Sequence, residues 1–76
     1  MLHTKHTEPC LLKAADDEPI WVLRGQDQTT PRAIRAWAML AEQEGAPRAK
    51  VEEALDDAKA IEAWQYQNPG RVKVPD

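Results

Sequence analysis

Ile34, Trp37, Ala38 and Ala41 recur at the three- and four-residue spacing of a helix, and Ala33 and Leu40 widen the apolar stripe. Thr30 and Pro31 precede the run as an entry signal. A threonine hydroxyl can cap the first free N–H groups, and proline at the first helical position has no N–H to leave unpaired. Gly45 closes the run, because glycine adopts the left-handed cap conformation without a steric penalty. The pattern predicts a helix over residues 31–44. A second stripe, Val51, Ala54, Leu55, Ala58, Ile61 and Trp64, predicts a helix over residues 47–66, opened by Pro47 and stopped by the breakers Asn68, Pro69 and Gly70. The link between the two is so short that they must form an antiparallel hairpin.

Ahead of the hairpin, Ile20, Trp21, Val22 and Leu23 form an unbroken apolar run rich in β-formers and bounded by Pro19 and Gly25, which predicts a strand over residues 20–24. Behind it, Arg71-Val72-Lys73-Val74 alternates polar and apolar and is a candidate strand over residues 71–74. Chain direction would set the two antiparallel, giving a mainly α fold with a minor β component in the order β-α-α-β. Residues 1–18 keep no sustained period and are expected to form a flexible arm, anchored at most by Leu11 and Leu12, with residues 19–76 as the single small domain. A sheet of two short strands is too small to stand alone in water, and three tryptophans are a large apolar payload for 76 residues. The expected remedy is a homo-oligomer with some of Trp21, Trp37 and Trp64 in its interface.

Charge and composition narrow the function. Thirteen acidic and ten basic side chains leave a net charge of −3, which argues against direct nucleic-acid binding driven by counterion release. No stretch is long and apolar enough for a membrane span or a signal-peptide core. The single cysteine, Cys10, cannot form an internal disulfide, so a reducing cytoplasm is the expected location. The chain has no serine, which removes serine nucleophiles. Cys10 remains, and a cysteine nucleophile needs a nearby base and a stabilised thiolate; His3 and His6 are close in sequence, but all three lie in the arm expected to be poorly ordered, so no enzyme is expected. The same three residues supply fewer than the four ligands of a structural zinc site, and no metal or cofactor is expected.

The stretch from Arg24 to Arg35 carries the most suggestive chemistry. A helix N-terminus offers unpaired N–H groups and partial positive charge, and Thr29, Thr30, Arg24, Arg32 and Arg35 lie close to this one in sequence. That is the outline of a phosphate site, with Gln26 and Asp27 to read hydroxyls or base edges and Trp21 to stack on a base. The plainer alternative is that Thr30 caps the helix, Asp27 pairs with an arginine and the other arginines are solvated. Met39 shares the outer, arginine-bearing side of this helix. On the second helix, Glu52, Glu53, Asp56 and Asp57 project onto one flank, as a mimic of nucleic-acid phosphates would or as a solvated face partly neutralised by Lys50 and Lys59.

The segment EPIWVLRGQD, followed by TPRAIRAWAMLAEQEGAPRAKVEEALDDAKAIEAW, resembles small tailed-phage proteins in which a PI(F/W)VLRxxD segment precedes a helical hairpin. The resemblance covers residues 18–64, and Gly25 stands where the pattern favours a small helix-friendly residue. It implies a phage or prophage origin and an accessory role inside the infected bacterium, such as neutralising host defence by sequestering a nucleotide signal or capping a defence protein. It assigns no functional residue. A protein-protein inhibitor acting through the acidic helix or the strand edge, and a structural phage component, remain alternatives.

Overall fold

The computed structural model describes residues 2–4, 6 and 9–75. Its elements are a one-turn helix α1 (Pro9–Lys13), two longer helices α2 (Thr30–Gln43) and α3 (Arg48–Gln67), and a 3-10 turn at Pro69–Arg71. Helices α2 and α3 pack together as the hairpin, within a residue of the predicted boundaries at each end. None of the described helices is long and apolar enough to cross a membrane.

Local chemistry accounts for the hairpin. At the end of α2, Gly45 takes φ +84. Its N–H donates to Glu42 O at 3.1 Å and that of Ala46 to Ala41 O at 2.9 Å. These are the two bonds of a Schellman cap, which turns the chain back on itself. Pro47, with φ −56 and ψ 137, is the flanking residue of α3 and not its first helical one, and its carbonyl accepts from the N–H groups of Lys50 and Val51. At the far end the Asn68 side-chain amide donates to Trp64 O at 2.8 Å, and Asn68 begins the turn that the predicted breaker cluster required.

The covered faces are lined by small residues. Ala38, Val51, Ala58 and Ile61 are the buried apolar side chains, joined by Thr30 and Pro31 at the start of α2. Alanine at Ala38 and Ala58 lets the two backbones approach closely. Trp37 and Leu40, which the apolar stripe places inside, are instead 51% and 58% exposed. One partner helix covers one side of α2, and the apolar residues of α2 run over more than one side.

Both predicted strands need correction. Residues 20–24 form no strand, and Trp21 is 90% exposed. The tail pairs with the chain through a single bridge, Asp27 with Lys73, and the pairing is parallel. Lys73 N–H donates to Gln26 O and Gln28 N–H to Lys73 O, both at 2.9 Å. The reason is geometric: the 3-10 turn takes up Arg71 and sets Lys73 beside residues 26–28, so the run from Ile20 to Arg24 has no ladder partner. The β-α-α-β topology is therefore replaced by a mainly helical chain. Within the stretch expected to be a featureless arm, α1 forms a single turn with no buried residue.

Close packing at the alanines predicts that Ala58→Leu lowers stability by about 1–3 kcal/mol through overpacking. Ala60→Leu, on the exposed side of the same helix, should stay within about 0.5 kcal/mol of the parent. Urea unfolding followed by circular dichroism separates the two; equal effects would mean that the hairpin is not tightly apposed.

Candidate functional site

The start of α2 is closed by the chain's own groups. Asp27 is the organiser: its Oδ1 accepts from the Thr29 N–H and from the Thr29 hydroxyl, each at 2.7 Å. This aspartate turn presets the backbone for helix entry. Thr29, not Thr30, flanks the helix, and neither hydroxyl caps it. The Thr30 hydroxyl donates to Arg24 O at 2.8 Å from a position that is 1% exposed. From the other helix, the Gln65 Nε2 donates to Gly25 O at 2.9 Å and to Asp27 O at 2.8 Å. One side-chain amide thus fastens the loop before α2 to the far end of α3.

The expected cradle is consequently dispersed. Thr29 and Thr30 spend their hydroxyls inside the turn. Asp27 accepts from Thr29 and, among the described residues, is paired with no arginine. Arg35 reaches across the hairpin to Glu62, with Nη1 to Oε2 at 2.9 Å and a second bond from Nη2 to Oε1. This bidentate bond holds the Glu62 carboxyl below the ordinary glutamate range. Arg32 is exposed, and Trp21 is largely in solvent. Of the eight residues expected to bind a ligand, Arg24 and Gln26 alone line the larger cavity.

That cavity is an open groove of about 710 Å³ between the segment before α2 and the C-terminal end of α3. Its polar lining comes from Arg24, Gln26 and Arg71, with His3 and Thr4 from the N-terminal residues, and its apolar lining from Leu11, Val22, Leu23 and Trp64. The Arg71 guanidinium lies over the Trp64 indole, 4.7 Å from the ring centre, in a cation–π arrangement that orients the charged head. Among the described residues no carboxylate lines the groove, although the chain carries more acid than base. A smaller cavity of about 180 Å³ lies on the other side of Val22 and Arg24 and includes Asp27 and Lys73. The acidic row on α3 is partly engaged: Glu52 accepts from Arg48, and Glu53 and Asp57 also have partners. Cys10 is exposed in α1, and no cluster of metal-binding side chains occurs among the described residues.

Three residues that matter here escaped the sequence pattern. Gln65 continues the buried series of α3 four residues after Ile61, so a polar residue on an apolar stripe was the available signal. Trp64 is expected in the apolar stripe of the second helix or in a subunit interface, and Arg71 in the candidate strand. No known protein family, curated protein or solved structure matches the chain.

Two measurements test this geometry. Gln65→Ala removes the donor from Gly25 O and leaves Asp27 O with the Thr30 N–H alone, and should cost about 1–3 kcal/mol in urea unfolding; an unchanged midpoint would remove the fastening role. The Glu62 carboxyl is lowered in the folded state, so its pairing stabilises fully above the unfolded glutamate pKa of about 4.3 and fades as the pH falls. The stability gap between the parent and Glu62→Gln should therefore shrink on acidification below about pH 4.3, and a gap independent of pH would contradict the pairing.

Proposed function

We propose that the protein is a non-catalytic binding protein that holds a small phosphate-bearing ligand, of the nucleotide class, in the groove between residues 22–26 and the end of α3. One observation carries the reading: in a net-acidic chain, two arginines converge on a ligand-sized groove whose described lining contains no carboxylate. Arginine presents a planar fork suited to phosphate oxygens. Arg24 and Arg71 take that role, the Trp64 ring supplies an aromatic surface, and the Gln26 amide can both donate and accept against a base or a ribose. The helix mouth plays no direct part, because the Thr29 hydroxyl is bonded to Asp27 and the Thr30 hydroxyl to the Arg24 carbonyl.

The resemblance to small tailed-phage proteins supports placing this binding in an infected bacterial cytoplasm, where holding a nucleotide signal would blunt host defence. Sequestration needs affinity and no chemistry.

Titration calorimetry of the folded chain against cyclic nucleotides and ADP-ribose-type compounds should give saturable heat with at least one of them. Arg24→Ala and Arg71→Ala should each weaken that binding roughly tenfold or more, the scale of a lost charge-assisted hydrogen bond. Arg32→Ala should leave it unchanged. Absence of heat from every compound, with the fold verified by circular dichroism, ends the nucleotide reading.

A further inference from the structure

Helix α2 has a second apolar side that the described residues leave largely uncovered. Ala33, Ala36, Trp37 and Leu40 stand at i, i+3, i+4 and i+7, the spacing that gathers residues on one side of a helix. Trp37 and Leu40 are 51% and 58% exposed. The side is distinct from the one that faces α3 through Thr30 and Ala38. Its two large residues, Trp37 and Leu40, follow two alanines, Ala33 and Ala36, and small residues beside large ones let one helix seat on another.

We infer that this side of α2 packs against the same side of α2 in a second copy of the chain, with the two helices antiparallel about a two-fold axis. Area supports the need for cover. A folded monomer of 8.6 kDa should expose about 4,700 Å². This chain exposes 6340 Å², an excess of about 1,600 Å² spread over the whole chain, of which the side of α2 with Trp37 and Leu40 is one part; a stable interface takes about 800 Å² from each partner. The radius of gyration, 13.3 Å, likewise exceeds the roughly 11.4 Å expected of a compact 76-residue domain.

The identity of the partner follows from the smallness of the core. Among the described residues, four buried apolar side chains besides Pro31, three of them alanine or valine, are a thin interior for a chain of this length. The cover must therefore be present whenever the chain folds, and the one surface always available then is another copy. Direction follows from charge: α2 carries exposed Arg32 near its start, with Glu44 just past its end. Antiparallel pairing brings these unlike ends together, whereas parallel pairing would set like against like. The inference is independent of the ligand, since the exposed side of α2 lines neither cavity.

Sedimentation velocity on the purified full chain without nucleotide tests it. The expected result at tens of micromolar is a species of at least twice the chain mass, with Leu40→Lys shifted to the single-chain mass. Because that variant can also unfold, the melting temperature of the unmodified chain is measured over a hundredfold range of concentration, and it should rise with concentration. A folded, cooperatively melting parent at single-chain mass, with a melting temperature independent of concentration, overturns the inference and leaves the surface to a different partner. An oligomer that survives Leu40→Lys overturns the choice of α2. Neither outcome bears on the calorimetry, so the two proposals fail separately.

Discussion

A two-helix hairpin can cover each helix on one side only, and here the covered side is lined by alanine and valine while the tryptophans lie elsewhere. The contact between α2 and α3 is close because Ala38 and Ala58 are small, and closeness limits how much apolar area it can remove from water. A hairpin built this way is geometrically well defined but modestly stabilised by its own interior. The exposure of Trp37 and Leu40 follows from that arithmetic and needs no defect in packing to explain it.

The hairpin positions the rest of the chain through polar contacts. Gln65 holds the carbonyls of Gly25 and Asp27, Thr30 holds that of Arg24, and Lys73 pairs with the backbone of residues 26–28. Three separate parts of the chain are thereby tied to one loop. The groove between Arg24 and Arg71 exists because this loop and the turn after α3 are brought together, so the site depends on hydrogen bonds more than on apolar burial.

The helical part of the fold was legible because each helix carries its own punctuation: Pro31 at the entry of α2, Gly45 at its exit, and Asn68 with Pro69 after α3. These are local signals that survive whatever the tertiary structure does. The strands were not legible, since a run such as Ile20 to Leu23 becomes a strand only when another segment pairs with it, and nothing in the run says where Lys73 will dock. The site was half legible. Arg24 and Gln26, singled out for their closeness to a helix start, do line the groove, but the same reasoning enlisted Thr29 and Thr30, whose hydroxyls the turn consumes, and Arg35, which Glu62 takes from 27 residues away. Proximity along the chain identifies which groups could cooperate; it does not reveal which ones the backbone has already claimed.

The double contact of Gln65 restricts what evolution or chemistry can place there. Both of its partners are carbonyl oxygens, so the side chain must supply two hydrogens at one end, and an amide nitrogen does so. Glutamate has nearly the same outline yet would set a negative oxygen against two others, turning two attractions into two repulsions. Hydrolysis of that single amide to the acid, a change that scarcely alters shape, would pry the loop before α2 away from α3 and with it one wall of the groove.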